Sequence, residues 1–348
     1  MSQLHVIGNL KVGGMEKVIE NIYSHFPESN DKFLIFQKRY EYQIKLPKNV
    51  EVKYCNNNLF KFFYFLLSSK NDLNFWAHPS IFFSIFLFFK KNKIIWHIHN
   101  SDISIKFLGF RNFLIVLVNS FFSHFIPSKI IVCSNYSKFI HKNFLFAHKK
   151  IFLIRNPSSK VKIHKKKNYI KKKYLKFIMV ANYTKAKNFD LLFKILSSIK
   201  SYAWTCDLYG YNLKNNQKLK KKINNYDLSR SIFLKEQTDL SEIYKNYDFL
   251  FLTSKTESQP MSIYECLLSK TPCISTHVGD LNKLFKNEII FIPNKLDVAT
   301  IKTINSLFRF RNNINEYKNL SLNSYNKVIS IIRKDFSISN YKKIWNIV

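Results

Sequence analysis

Two glutamates eight positions apart offer the most specific chemistry in this sequence. Glu257 lies in the polar loop 253–260 that follows an apolar run, and Glu265 lies about one turn into the helical pattern that Pro260 opens. The loop follows the carboxyl end of a predicted strand, where open α/β sheets bind their ligands. A carboxylate there can accept hydrogen bonds from two vicinal hydroxyls, such as those of a ribose. The alternative is one capping glutamate and one solvated glutamate.

A lysine just before a predicted helix suggests an anion site. Residues 177–180 form a predicted strand, and a loop then leads to a helix predicted over 189–199 with Asn188 as its N-cap. Lys187 would precede the helix N-terminus, where a cation opposes the helix dipole unless an anion binds beside it. A solvated lysine in a lysine-rich chain is the alternative.

A glycine pair follows the first predicted strand. Strand 4–7 is followed by Gly8, by Gly13 and Gly14, and by an amphipathic helix predicted over 15–26. Adjacent glycines before a helix let a ligand approach the backbone amides, and the helix N-terminus suits a phosphate. The pattern is neither G-x-G-x-x-G nor a P-loop, and a tight turn explains it equally well.

Two series of short apolar runs, alternating with helical patterns, must position these residues. The predicted strands are 4–7, 94–98, 130–133 and 151–154 in the first series, and 177–180, 206–209, 232–234, 249–252, 273–275 and 289–292 in the second. Strands that alternate with helices imply parallel sheets with right-handed crossovers. We therefore expect an α/β protein with two doubly wound domains. The expected segments are domain 1–160, basic linker 161–176, domain 177–325 and a C-terminal helix 326–348 that returns to the first domain.

These motifs together resemble a known enzyme family. The segment GGME at 13–16, the loop KN at 187–188 and the string ESQPMSIYECLLSKTPCISTHVGD at 257–280 are similar to the retaining glycosyltransferases of family 4. The likeness covers residues 4–284, and the paired glutamates are its specific part. That family has the GT-B architecture, so the resemblance implies two Rossmann-like domains facing a central cleft.

The resemblance implies a site for a nucleotide-diphosphate sugar in the second domain. It assigns Glu265 to the ribose hydroxyls, Glu257 to the transferred sugar and Lys187 to the diphosphate as it leaves. It also implies a donor-binding role for Gly13, Gly14, Asn182, Gly210, Gln259, Pro260, Met261 and Ser262. His99 follows strand 94–98 as the family's acceptor-side histidine does, and His97 is the competing register.

Two positions depart from the family pattern. Asn182 stands where the family usually has an arginine, so one phosphate contact is missing. Lys185 or another lysine would have to replace it without the planar fork of arginine. Only Gly210 remains of the usual glycine pair in the segment 209–212. A GT-B fold that binds the donor without catalysis is therefore an alternative to an active enzyme.

The charge of the chain points to anionic partners. Lys and Arg number 56 against 22 Asp and Glu, which gives a net charge of +34. Such a charge favours binding of nucleic acid, anionic lipid or a phosphorylated substrate, although A+T-rich codons could supply much of the lysine. No helix-turn-helix, zinc-finger or RRM signature supports the rival hypothesis of a nucleic-acid-binding protein.

One segment of the sequence has a composition typical of a surface that binds a membrane. Residues 103–189 contain 19 Lys and Arg and no Asp or Glu, together with Phe107, Phe110, Phe113, Phe121, Phe122, Phe125, Phe139, Phe144 and Phe146. Basic residues with apolar partners suit an anionic bilayer surface. The alternative is that the aromatic residues are core and the lysines are solvated.

The leading expectation is a cytoplasmic glycosyltransferase that is peripheral to the membrane. The family resemblance implies bacterial surface polysaccharide synthesis, a lipid-diphosphate-linked glycan acceptor, and attack on the donor face from which the diphosphate leaves. No cofactor is expected, and the absence of a D-x-D sequence predicts transfer without a metal. Five cysteines without a C-x2-C pair favour a reduced compartment. We also expect no signal peptide and no membrane span, since no run reaches about 20 apolar residues.

Overall fold

A computed structural model describes residues 2–10, 13–38, 44–100, 102–157, 173–236, 240, 242–334 and 337–346. The chain divides into two compact units. The first comprises Met1–Lys160 and Asp335–Val348, and the second comprises Val161–Lys334. Of the predicted linker 161–176, only 173–176 falls among the described residues, and two of those four, Leu175 and Lys176, belong to the first strand of the second unit.

The first unit is built on a seven-stranded parallel sheet. Its strands are β1 (Gln3–Ile7), β2 (Lys32–Ile35), β3 (Glu51–Tyr54), β4 (Asp72–Trp76), β5 (Ile94–Ile98), β6 (Lys129–Val132) and β7 (Ile151–Leu153). The strand order is β3-β2-β1-β4-β5-β6-β7. The helices that connect the strands are α1 (Gly14–Tyr23), α2 (Leu59–Ser68), α3 (His78–Phe83), α4 (Ile105–Leu108), α5 (Phe110–Phe122) and α6 (Asn135–Asn143).

One face of this sheet is covered by helices α2, α3 and α5. Phe62 of α2, Ile81 of α3 and Val116 of α5 are buried in one cluster with alternate strand residues such as Val6 and Trp96. Alternate residues of a strand point to the same face, so the three helices share that face. Right-handed crossovers from β3 to β4, from β4 to β5 and from β5 to β6 also require the connecting helices to lie on one face of the sheet.

The second unit is built on a six-stranded parallel sheet of order β10-β9-β8-β11-β12-β13. Its strands are β8 (Leu175–Val180), β9 (Trp204–Tyr209), β10 (Ile232–Lys235), β11 (Phe249–Leu252), β12 (Cys273–Thr276) and β13 (Ile290–Ile292). Its helices are α7 (Phe189–Ser198), α8 (Gln217–Asn225), α9 (Met261–Leu268), α10 (Leu281–Leu284), α11 (Val298–Ser306) and α12 (Ile314–Arg333). The prediction of two doubly wound α/β domains is confirmed.

The C-terminal segment differs from the single helix expected over 326–348. Residues up to Arg333 complete α12 of the second unit, and a separate helix, α13 (Ser337–Trp345), belongs to the first unit. Trp345 of α13 is fully buried, and its Nε1 donates to Asn74 Oδ1 at 2.9 Å. Gln3 Nε2 donates to the carbonyl oxygen of Trp345 at 3.1 Å. These bonds join α13 to the middle of the first sheet.

All ten predicted strands are present, and three further strands, β2, β3 and β4, were not predicted. Strand β3 is a sheet edge with alternating half-buried and exposed residues, so it lacks an apolar run. Strand β4 contains Asp72 and Asn74, which interrupt its apolar pattern. No helix in the described part of the chain is long and apolar enough to cross a bilayer.

Candidate functional site

Two loops meet at the carboxyl edge of the second sheet. Strand β8 pairs with β9 on one side and with β11 on the other, so the strand order reverses between β8 and β11. Connections that leave such neighbours go to opposite faces of the sheet and open a crevice, which is where doubly wound folds bind ligands. The loops concerned are 181–188 after β8 and 253–260 after β11.

The side chains of Lys187 and Glu257 join these two loops in an ion pair. Lys187 Nζ lies 2.5 Å from Glu257 Oε1. The hydroxyl of Ser254 donates to the same carboxylate oxygen at 2.7 Å. Ser254 is fully buried, whereas Lys187 retains 29% and Glu257 retains 13% side-chain exposure. A cation and an anion are therefore both accessible from solvent at the crevice.

Hydrogen bonds to the backbone hold the two loops together beneath this ion pair. The amide of Lys255 donates to the carbonyl oxygen of Ala186 at 2.7 Å. Thr253 Oγ1 lies 3.2 Å from the carbonyl oxygens of both Lys187 and Asn188. Because the side-chain pair sits on a linked backbone, its geometry is preorganised.

Asn188 is the N-cap residue of α7, as predicted, but it does not cap the helix through its side chain. Its side chain makes no capping bond to α7, and its backbone is left-handed with φ 50° and ψ 53°. Asparagine tolerates this conformation better than most residues. Asn188 therefore turns the chain between a 3₁₀ turn at Lys185–Lys187 and α7, which still leaves Lys187 just before the helix.

Glu265 lies in the second turn of α9, as expected, and accepts a hydrogen bond from a tyrosine. The hydroxyl of Tyr244 donates to Glu265 Oε2 at 3.1 Å. Burial, and then the negative charge of Glu265, raise the pKa of Tyr244 well above its ordinary value. The hydroxyl therefore stays protonated and acts as a fixed donor that orients the carboxylate.

The start of α9 is packed closely against a glycine. Pro260 is the N-cap, followed by Met261 and Ser262 in the first turn, and Gln259 is 8% exposed. Gly279 has φ +56°, and a Cβ atom there would lie 2.5 Å from the Ser258 carbonyl oxygen and 2.8 Å from that of Glu257. Only glycine fits this position without moving the loop that carries Glu257.

Asn182 and Gly210 bring the loops after β8 and β9 together. The amide of Tyr211 donates to Asn182 Oδ1 at 2.9 Å. A Cβ atom at Gly210 would collide with the carbonyl oxygen of Ala181. Asn182 thus links two loops at the position where the family pattern has an arginine.

The remaining predicted site residues lie in the first unit. Gly13 is the N-cap of α1 in an extended conformation, and a Cβ atom on it would collide with the Glu16 carboxylate. A Cβ atom on Gly14 would meet no protein atom within 4 Å. Gly14 therefore leaves open space at the start of α1.

The structure distinguishes between the two candidate acceptor-side histidines. His97 is fully buried inside β5, and its Nε2 lies 2.9 Å from Asn74 Oδ1, so we drop it as an acceptor-side candidate. His99 follows the carboxyl end of β5, and its ring stacks on Trp76 with centroids 5.5 Å apart. Burial lowers the pKa of His99 to about 4, although Asn156 acts in the opposite direction. His99 is therefore neutral near pH 7.

Sequence reasoning missed Ser254, Tyr244 and Gly279. Ser254 stands three positions before Glu257, which is a spacing typical of hydroxyl turns and could have indicated the contact. Tyr244 comes from a different segment, and no local signal pairs it with Glu265. Among the described residues, no cluster of three or more His, Cys, Asp or Glu could hold a metal ion.

Comparison with known families gives a match in the second unit. Residues 160–327 match the sequence model of the family described as Glycosyl transferases group 1. No curated protein sequence matches the chain. The matched segment includes the loops that carry Lys187, Glu257 and Glu265.

Solved structures share the fold over almost the whole chain. HepE from Anabaena, crystallised with UDP and glucose, matches with a TM-score of 0.77 and 15% identity over 99% of this chain and 98% of its own. Sucrose-phosphate synthase from Thermosynechococcus elongatus matches with a TM-score of 0.76 and 11% identity over 99% and 98%. The lipopolysaccharide outer core galactosyltransferase WaaB matches with a TM-score of 0.57 and 16% identity over 94% and 99%. The expectation of a GT-B fold is confirmed.

Proposed function

We propose that this chain is a retaining glycosyltransferase of the family 4 type that takes its sugar from a nucleotide-diphosphate donor. The observation that carries the proposal is the ion pair of Lys187 and Glu257 at the strand-order reversal of the second sheet, with Glu265 in the helix that follows. The crystal structure of HepE with UDP-glucose supports a nucleotide-sugar ligand for this fold.

Each side chain has a role that its surroundings support. Glu265, oriented by Tyr244, accepts hydrogen bonds from the two ribose hydroxyls. Glu257 contacts the transferred sugar. Backbone amides at the start of α9, from Gln259 to Ser262, surround the sugar and the phosphates.

Lys187 supplies the positive charge that the reaction needs. The bond between the anomeric carbon and the diphosphate oxygen breaks, and negative charge develops on the departing diphosphate. The acceptor hydroxyl forms the new bond on the same face of the sugar, and its proton passes to the diphosphate. A lysine ammonium at the diphosphate stabilises that charge as it develops. Because Lys187 and α9 can supply the field, we propose that transfer needs no metal and no cofactor.

In the first unit, we propose that Gly14, next to Gly13, leaves the start of α1 open to a phosphate-bearing ligand. We propose that His99 faces the acceptor. A neutral imidazole, which the low pKa of His99 ensures, can accept or donate a hydrogen bond to a sugar hydroxyl.

The acceptor that fits the chain best is a lipid-diphosphate-linked glycan at the cytoplasmic surface of a bacterial membrane, used in surface polysaccharide synthesis. The exposed apolar residues of helix α5 support the proposal of a lipid-linked acceptor. Its Phe110, Leu114, Leu117 and Phe121 are 67%, 41%, 46% and 64% exposed, and their spacing places them on one face of the helix. An apolar stripe in a stretch without acidic residues suits an anionic bilayer.

The phenylalanines of that stretch divide between surface and core. Phe110, Phe121, Phe125 and Phe139 are exposed, whereas Phe146 is fully buried. Phe122 and Phe144 are partly buried against the core. The rival function, nucleic-acid binding, accounts for the lysines but not for an exposed apolar stripe, since phosphate contacts need cations.

A thermal-shift screen with UDP-, GDP-, ADP- and TDP-sugars tests the donor site. A ligand at 100 times its Kd should add about 2.7 kcal/mol to the free energy of unfolding. We expect one nucleotide class to raise the Tm of the wild type and not that of Glu265→Ala. Nucleotide binding without transfer to any membrane-extracted acceptor would identify a donor-binding protein without catalysis. The absence of any shift would refute the donor site.

A further inference from the structure

The first unit exposes far more apolar surface than the second. Of the 21 large hydrophobic side chains exposed in the described ranges, 16 belong to the first unit. A cluster of seven lies outside the stretch 103–189. It consists of Leu59, Phe60, Tyr64 and Leu67 of α2 and Phe86, Phe88 and Phe89 in and after the 3₁₀ turn Ser84–Leu87, and we call it the aromatic patch.

Helix α2 is apolar on its outer side as well as on its inner side. Eight of its ten residues are aliphatic or aromatic, yet only Phe62 and Leu66 are buried. Phe60 is 90% exposed and Tyr64 is 68% exposed. A helix that is apolar all round is normally buried on all sides or in contact with lipid. The outer side of α2 therefore lacks a partner within the described chain.

The two parts of the aromatic patch form one fixed surface. The rings of Phe63 and Phe86 pack edge to face with centroids 5.6 Å apart. Lys90 Nζ donates to the carbonyl oxygens at the end of α2, which are those of Leu66, Leu67 and Ser69, at 3.0, 2.8 and 2.7 Å. This lysine caps α2 and holds the neighbouring Phe88 and Phe89, 77% and 61% exposed, beside it.

The charge around the aromatic patch favours an anionic bilayer over a second copy of the chain as the binding partner. Residues 59–101 contain five lysines and one acidic residue, Asp72. Lys61, Lys70 and Lys91 are exposed around the aromatic side chains. A second copy of this chain would bring these like charges together across a two-fold interface. A bilayer with anionic headgroups instead accepts the aromatic rings and attracts the lysines.

We infer that the aromatic patch is a membrane-docking surface that inserts Phe60, Phe88 and Phe89 into an anionic bilayer. The inference rests on the proposed function in one respect, because it names the surface through which the chain would reach a lipid-linked acceptor. Helices α2 and α5 cover the same face of the first sheet, so the patch and the α5 stripe can contact one bilayer together.

Vesicle sedimentation of the full chain tests the patch without donor or acceptor. The vesicles are phosphatidylcholine alone, or phosphatidylcholine with about 30% phosphatidylglycerol. We expect the wild type to bind the anionic vesicles, and Phe60→Ser/Phe88→Ser/Phe89→Ser to bind them about tenfold or more weakly. The matched control is Phe233→Ser, at a residue 43% exposed in the second unit, which should bind like the wild type.

A fluorescent reporter gives a second readout. The four native tryptophans, Trp76, Trp96, Trp204 and Trp345, are buried, so a tryptophan at position 88 reports its own surroundings. The emission of Phe88→Trp should shift to the blue with anionic vesicles, and that of Phe233→Trp should not. Wild-type vesicle binding by the triple variant, with an unshifted Phe88→Trp, would overturn the inference. So would light scattering that shows a dimer which the triple variant loses. Neither result bears on nucleotide binding, which the thermal-shift screen tests separately.

Discussion

Lys187 and Glu257 are 70 positions apart in the sequence, and their charged atoms lie 2.5 Å apart. Ser254 donates to the same oxygen of Glu257 that Lys187 contacts. A diphosphate in the crevice would compete with Glu257 for the ammonium group. The proposed reaction therefore begins from a site whose cation is already positioned, and Ser254 remains to hold the carboxylate when Lys187 turns to the phosphate.

Removing the lysine should impair turnover. We expect Lys187→Ala to lower kcat by about 100-fold or more, because loss of one preorganised donor to a developing anion costs about that much. The readout is release of nucleoside diphosphate at saturating donor. Lys194→Ala, an exposed lysine of α7, is the control and should stay within about threefold of the wild type. Equal effects of the two variants would contradict the assignment.

Ser254 should affect turnover more than donor affinity. We expect Ser254→Ala to lower kcat by about tenfold and to leave KM for the donor nearly unchanged, since a hydrogen bond to a charged group contributes about 1.5–3 kcal/mol. Ser254→Thr should restore much of the rate. Ser198→Ala, whose hydroxyl bonds within α7, serves as the control. A variant with normal kcat and weaker donor binding would place Ser254 in a different role.

Glu265 should matter for donor binding. We expect Glu265→Ala to raise the Kd of the nucleotide by about 10- to 150-fold, the equivalent of about 1.5–3 kcal/mol. Tyr244→Phe leaves the carboxylate without its fixed donor and should raise Kd by about fivefold. Isothermal titration calorimetry measures both. Glu242→Ala, an exposed glutamate paired with Lys245, should bind like the wild type.

Transfer should survive metal removal. Because Lys187 and the start of α9 can supply the positive field, we expect the rate in excess EDTA to match the rate in buffer. A parallel assay adds Mn²⁺ or Mg²⁺ after the EDTA treatment. Complete loss of transfer that Mn²⁺ restores would show that a cation is obligatory.

The first unit should lose stability in mild acid. Burial lowers the pKa of His78 and His97 well below 6.5, and that of His99 and His141 to about 4. As the pH falls, the histidines of the unfolded chain take up protons at a higher pH than those of the folded chain. The stabilisation of the folded state is therefore complete above about pH 6.5 and decreases as the pH falls towards 4. Each histidine contributes to the decrease because the unfolded chain takes up a proton there that the folded chain does not.

Urea unfolding followed by tryptophan fluorescence measures this effect. Three of the four tryptophans lie in the first unit, so the signal reports mainly that unit. We expect a lower urea midpoint at about pH 5 than at about pH 7.5. In His141→Gln, one buried titrating group is gone and the difference between the two midpoints should shrink. Identical wild-type midpoints at both pH values would contradict the assignment.

The strands of the second unit were predicted because most of them contain an apolar run, as in Phe249–Leu252. In the first unit, β4 was missed because Asn74 lies in its centre. Asn74 is satisfied by Gln3, His97 and Trp345, which come from three distant segments. A polar residue inside a strand becomes predictable only when its partners are known, and local patterns do not supply them.

In the candidate site, too, local sequence patterns predict some residues and miss those that act through distant partners. Glu257, Glu265 and Lys187 were found because they follow strands at recognisable spacing. The N-cap position of Asn188 was predicted, but its side chain makes no capping bond, since a 3₁₀ turn precedes α7 and Asn188 is left-handed at the junction. Tyr244 and Gly279 act through contacts across the fold. Gly279 in particular faces the backbone of Glu257 and Ser258, which lie more than 20 positions away.

Helix α13 has a consequence for the order in which the chain folds during synthesis. Residues 337–345 complete the first unit, where Trp345 packs against His5 with ring centroids 5.0 Å apart. The ribosome reaches them only after all of the second unit has been made. The second unit is continuous in sequence, so it can finish folding while the earlier unit still awaits its last helix. This differs from the usual order in which the N-terminal domain folds first. A chain truncated after residue 334 would carry one complete unit and one whose aromatic core lacks its last helix.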